Sequence, residues 1–251
     1  MKKADELSYQ KTLEFATQHY ADQVTNFGVN LLTHAKLVSA QAELIAQKLY
    51  QDMRVDILPD DAKEHIDAIA QGALLHDVLN VRACAFENIA EIATVQIAAM
   101  VADISRDFRL VETKRDMEFR GRLSQSPVGA QIIVVADIIC TAQDTLKAIA
   151  KYGMPAIPRA KKLLTQLDGD LLAIHAASRY YMLRLYVHAA RNKLTDISQA
   201  IKACRQKAKL DKIVAQNTTG IRAKAAEEEK VQPKKKKEVR YARKRSVDQN
   251  S

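Results

Sequence analysis

The sequence predicts an all-α fold, and three observations carry that reading. Gly and Pro are scarce, at 7 and 5 of 251 residues. Apolar residues recur at three- and four-residue spacings through most of the chain. Hydrophobic residues make up 47%, while aromatics are only 5% and Trp is absent. A fold of many short strands needs a turn former at every reversal, and there are too few here. The core is therefore expected to rest on Leu, Ile, Val and Ala in long helices.

The elements follow in order. Leu7, Leu13, Phe15 and Tyr20 mark a first amphipathic helix, and Asn26-Phe27-Gly28 breaks it. A second helix is expected from His34 to about Gln51, capped by Thr33, with Leu37, Val38, Leu44, Ile45 and Leu49 on its apolar face. Pro59-Asp60-Asp61 starts a third. Its later part, AIAQGALLHDVL, is apolar nearly all round and should be buried. Residues 85–104 read as a fourth helix, and the charged run 105–125 as an exposed loop or short helix. Ser126 as cap and Pro127 as first residue open a second buried helix, VGAQIIVVADIICTAQDTL. Gly153-Met154-Pro155 ends it and Pro158 opens the next. Residues 170–192 and 195–215 then form a helical hairpin that turns at Asn192-Lys193.

Charge divides the chain. Residues 221–251 hold eleven Lys or Arg against five Asp or Glu, an excess of six within a formal net charge of +9. This segment has almost no apolar residues and cannot offset its chain entropy, so a disordered basic tail is expected over 217–251. Lys234, Lys235, Lys236, Lys237, Arg243, Lys244 and Arg245 form a dense positive cluster in it. Such a cluster suits nucleic acid or another polyanion. Three scattered cysteines, Cys84, Cys140 and Cys204, argue for a reducing compartment rather than a disulfide framework. No apolar run is long enough to span a membrane, and the residues after Lys2-Lys3 lack the apolar stretch of a secretory signal. A soluble, cytoplasmic protein with no membrane partner is the expectation.

Two of the expected buried helices carry charge where the pattern calls for core. One has His76-Asp77 and the other Asp137. A buried carboxylate without a partner is costly, so each should be paired or bound to a metal. Two imidazoles and two carboxylates from His34, His76, Asp77 and Asp137 would suit Mn²⁺ or a similar divalent ion, with positions open for water and phosphate oxygen. His19, His65, His175 and His188 fit no second set.

The order His, His-Asp, Asp resembles the HD superfamily of metal-dependent phosphohydrolases. It is most similar to the (p)ppGpp hydrolase domain of RelA/SpoT-type proteins and their small stand-alone relatives. LEFATQHYADQ resembles the opening helix of that domain, LLTHAKLVSAQ its segment around the first metal histidine, and GALLHDVL its His-Asp motif. The stretch 101–137 resembles the part that ends in the last metal aspartate. The resemblance implies an HD-type metal-binding domain over 1–155, with a packed helical extension over 156–216. It also implies a nucleotide or related phosphoester as substrate. Lys114 and Arg115 fall where the family has basic residues and are the expected phosphate contacts.

The chain departs from the family at three places. Asn80 and Val81 stand where the family has an acidic pair that assists water attack. The loop VTNFGVN before His34 has no Lys or Arg, and Ile138 and Thr141 replace a basic residue and an Asn after the last metal aspartate. Weak or absent (p)ppGpp hydrolysis is therefore expected. Two alternatives stay open beside an active hydrolase: an HD-fold protein that senses a nucleotide without turning it over, and a protein acting mainly through its basic tail.

Overall fold

The computed structural model describes residues 2–52, 59–81 and 84–231, and every described element is helical apart from one isolated bridge between Val24 and Asn30. The described residues fall into two units, one ending at Ile201 and the other beginning at Lys202.

In the first unit, α1 (Lys2–Tyr20) leads into a closed loop, where Thr25 N donates to Val29 O and Leu31 N to Gln23 O. Gly28 sits in this loop at φ 77°, a conformation that side chains resist. The next helix, α2 (Leu31–Asp52), starts earlier than expected. Its cap is Asn30, whose Oδ1 accepts from Thr33 N at 3.0 Å, and not Thr33 itself.

After α3 (Pro59–Leu74) the chain departs from the expected continuous helix: Leu75-His76-Asp77 forms a turn before the short α4 (Val78–Val81). The helical bonds tighten there. Leu75 N is shared between Gln71 O and Gly72 O, and His76 N reaches back only three residues to Ala73 O. The expected fourth helix is likewise two helices, α5 (Phe86–Ile92) and α6 (Val95–Ile104), because Thr94 caps the second through its hydroxyl to Ile97 N at 3.2 Å. The charged run contains α7 (Glu112–Leu123).

The central element is α8 (Val128–Tyr152), with Ile132, Ile133, Val135, Ala136 and Ile138 fully buried. It begins one residue later than expected; Ser126 donates back to Arg122 O instead of capping it. Helices α2, α3, α6 and α9 (Ile157–Ala177) pack around α8. Gly129 permits this approach: a Cβ there would lie 2.8 Å from Met100 Sδ and 3.1 Å from Ile69 Cγ1. Polar ties lock the outer helices to α3. Thr12 donates to Gln71 Oε1 at 2.9 Å and Ser39 to Ala70 O at 2.8 Å, all in buried surroundings.

The C-terminal helical pair is present, but its turn lies at Ser178–Tyr180, and α10 (Tyr181–Val231) runs unbroken through Asn192-Lys193. Neither residue breaks a helix. Ser178 leaves helical geometry, and its Oγ accepts from Tyr180 N at 3.2 Å. In the second unit, α10 continues to Val231, past the expected break, in a stretch of Ala, Lys and Glu that favours helix. Side chains from Lys202 to Thr219 are exposed or half-exposed. Residues 232–251, with the basic cluster expected to bind polyanions, lie outside the described residues.

Candidate metal centre

His34 comes from the first turn of α2, His76 and Asp77 from the turn after α3, and Asp137 from the middle of α8. The turn matters for the chemistry. On an unbroken helix, neighbouring side chains diverge by about 100°. Here both His76 and Asp77 line one cavity of about 440 Å³, together with His34 and Asp137.

One ligand-type atom from each of His34, His76 and Asp137 lies within 4.8 Å of the others. His34 Nε2 is 3.0 Å from Asp137 Oδ1, and His76 Nε2 is 4.0 Å from the same oxygen. Ligands at about 2.0–2.2 Å from one ion stand roughly 3–4 Å apart, so these spacings fit a shared cation. Asp77 stands outside this closest group, with Oδ2 at 3.4 Å from His76 Nε2.

The outer nitrogens of both rings are already held. His76 Nδ1 lies 2.8 Å from Ala73 O, and His34 Nδ1 lies 3.1 Å from Asp144 Oδ2. A carbonyl and a carboxylate can only accept, so each Nδ1 donates in these contacts. His34 Nε2 also faces a carboxylate, Asp137 Oδ1 at 3.0 Å, so that ring is held at both nitrogens. An ion taking the place of the Nε2 proton would find both rings already oriented through Nδ1, the arrangement that histidine ligands use. His76 Nε2 is buried and has no hydrogen-bond partner among the described residues. An orphaned buried nitrogen aimed between two carboxylates is chemically suited to a cation. Thr141 donates its hydroxyl to Asp137 Oδ1 at 2.9 Å, and Asn80 Nδ2 to Asp77 Oδ1 at 3.3 Å.

Electrostatics follow the same geometry. Burial opposes charge on His76, but the carboxylates of Asp77 and Asp137 outweigh it and lift the ring to about 9. Burial works the same way on His34, and the bond to Asp137 again overcomes it, so its pKa is raised. Burial would raise Asp77, yet His76 and Asn80 bring it down to about 2. Asp137 is lowered against its burial by His34 and His76. The two imidazoles and two acids form one interdependent charge cluster.

Sequence reasoning missed Asp144. Its signal was available: it lies seven residues after Asp137, two turns along the same face of a buried helix. Arg106, in the charged run before α7, lines the cavity and pairs with Asp116 at 2.7 Å and with the buried Asp170. Its guanidinium lies 3.9 Å from the centre of the Phe119 ring. Lys114 is exposed and does not line the cavity. Arg115 does not line it either, but lies 4.9 Å over the ring of Phe108, which does. Val81 has no described side chain. His175 and His188 meet edge-on at 5.2 Å and belong to no ligand cluster among the described residues.

No family model and no curated relative matches this chain. Solved structures do. One is that of a metazoan ortholog of SpoT that hydrolyses ppGpp and plays a role in starvation responses. It aligns with a TM-score of 0.56 at 16% identity, over 74% of this chain and 94% of that chain. The two share a fold.

Proposed function

We propose that this protein is a divalent-metal-dependent phosphohydrolase of HD type, similar to (p)ppGpp pyrophosphohydrolases, acting on a nucleotide or related phosphoester. One observation supports this above the others. Two histidines, each held through Nδ1, turn Nε2 toward a shared carboxylate in a cavity of ligand size. The fold shared with a ppGpp-hydrolysing protein agrees with it.

His34, His76 and Asp137 would hold the ion, with Asp77 as fourth ligand. Two nitrogens and two oxygens suit Mn²⁺ among the hard to borderline ions. When bound, such an ion supplies Lewis acidity toward an attacking water and a phosphoryl oxygen. The chain's own groups do the positioning. Ala73 O and Asp144 fix the rings, and Thr141 fixes Asp137. Lys114 and Arg115 on α7 are assigned to the phosphate; neither lines the cavity, and Arg115 lies over Phe108, which does. Arg106, tied down by Asp116 and Asp170, shapes the far wall. A reducing, cytoplasmic setting is part of this reading, on the three scattered cysteines of the sequence. Among the described residues no helix is long and apolar enough to cross a membrane.

A second reading, a nucleotide sensor without turnover, is favoured by one specific observation. Asn80 points its amide at Asp77 where the resembled family has an acid, and each carboxylate lining the cavity already has a partner. A missing general acid or base costs typically about 10²–10⁴-fold in rate. The test is a phosphate-release screen over a nucleotide panel, including (p)ppGpp, with Mn²⁺, Mg²⁺, Co²⁺ and Zn²⁺, alongside elemental analysis of the purified protein. Metal-dependent turnover of any member supports the hydrolase, with (p)ppGpp expected to be a poor substrate. Saturable nucleotide binding without turnover supports the sensor. Absence of stoichiometric metal under every condition refutes the metal centre.

A further inference from the structure

We infer that Asp144 is a positioning residue of the metal centre: it accepts from Nδ1 of His34 and so orients the ring for ligation through Nε2, an inference that rests on the metal reading above. The geometry is specific. Asp144 Oδ2 lies 3.1 Å from His34 Nδ1, and the two side chains are only 5% and 4% exposed. A carboxylate buried to that degree needs a compensating partner. The partner it has inside the protein is an imidazole whose opposite nitrogen faces Asp137 Oδ1 at 3.0 Å.

Both ring nitrogens of His34 face carboxylates, so Asp137 competes for the ring proton until an ion takes Nε2. A carboxylate only accepts, so with Nε2 on the ion Asp144 holds the remaining proton on Nδ1. The negative charge also makes the ring a stronger electron donor. The two histidines are thus held by different means. His76 has the neutral carbonyl of Ala73, which belongs to the backbone and cannot be substituted away. His34 has a charged side chain, so its ligand strength depends on one residue.

Helix α8 supplies this device from a single face. Asp137 is the ligand. Thr141, one turn on, steadies Asp137 through Oδ1, and Asp144, another turn on, steadies His34. The competing explanation is that Asp144 serves an ion pair with Lys147, whose Nζ is 3.6 Å from Oδ1. That lysine side chain is 72% exposed, and solvent screens a pair of this kind. The pair also uses the oxygen that does not face His34.

The test uses the full chain and three proteins: wild type, Asp144→Asn and Lys147→Met. Dissociation constants for Mn²⁺ and Co²⁺ are measured by calorimetry, with the visible spectrum of the Co²⁺ form and the thermal midpoint of the metal-free form beside them. Asn keeps the shape, and its amide can donate to Nδ1 and so favour the non-ligating tautomer. Asp144→Asn should weaken both ions by about 10–100-fold, the range for lost outer-shell partners, and alter the Co²⁺ spectrum. Lys147→Met should stay within about twofold of wild type, as expected for a screened surface pair. Wild-type affinity in Asp144→Asn overturns the inference and leaves the metal centre standing. Equal losses in both variants overturn it in favour of the ion pair. A wild type that binds neither ion removes the metal reading and this inference together.

Discussion

The backbone N–H of Asp77 donates to the hydroxyl of Tyr20 at 3.2 Å, across 57 residues of sequence. The turn that presents His76 and Asp77 strands this amide outside the helical ladder, and the last residue of α1 receives it. Tyr20 is fully buried, and its pKa is raised by that burial first and by the Asp77 charge second. Tyr20→Phe keeps the ring and leaves a partly buried donor unpaired, which costs about 1 kcal/mol, the lower end of the range for a buried one. Urea unfolding should report that loss, and the metal dissociation constant should rise with it. A variant as stable as wild type would show that water or another group satisfies the amide.

The metal-free protein and the metal complex should respond oppositely to pH. His76 is lifted from its ordinary 6.5 to about 9, so the stability it adds as a cation is complete below about pH 6.5. That contribution is lost as pH rises through about 9. Asp77 runs the other way: lowered from 3.8 to about 2, it stabilises above about pH 3.8 and fails as pH falls through about 2. Metal displaces protons from histidine, so its binding strengthens as pH rises. Thermal midpoints taken with and without Mn²⁺ from pH 5.5 to pH 9 should therefore diverge. A constant difference across that span would count against histidine ligation.

Asp170 anchors α9 to the region next to the cavity. It accepts from Arg106 and, at 3.0 Å, from Arg120, while its own side chain is 2% exposed. Asp170→Asn removes the charge that compensates a mostly buried Arg106, whose side chain is 13% exposed. Removing one member of a buried pair typically costs about 3–5 kcal/mol, and Arg120, which is a third exposed, should limit the loss to the lower end. Chemical denaturation measures it. A change below about 1 kcal/mol would mean that Asp116 alone satisfies Arg106.

The basic cluster Lys234–Lys237 with Arg243, Lys244 and Arg245 is expected to bind polyanions through counterion release. Deleting residues 232–251 should sharply reduce retention of RNA or DNA at low salt. Metal content and thermal midpoint should not move. Equal nucleic-acid binding by the truncated chain would assign that surface to the helical part.

The all-α fold, the buried character of α8 and the gathering of His34, His76 and Asp137 were legible in the sequence. Helical periodicity is local, and an isolated charge inside an apolar run demands a partner wherever the chain goes. The positions of breaks were less legible. Nothing local distinguishes GALLHDVL as a turn rather than continued helix, since the turn is held by Tyr20 from a distant helix. Asn192-Lys193 has the composition of a turn, yet α10 passes through it because apolar side chains on both sides, Ala190 and Leu194, stay buried. The role of Asp144 and the ion-pair partners of Arg106 were decided by tertiary structure alone. A carboxylate's function is set by what accepts or donates across from it, and for Asp144 that group lies 110 residues away.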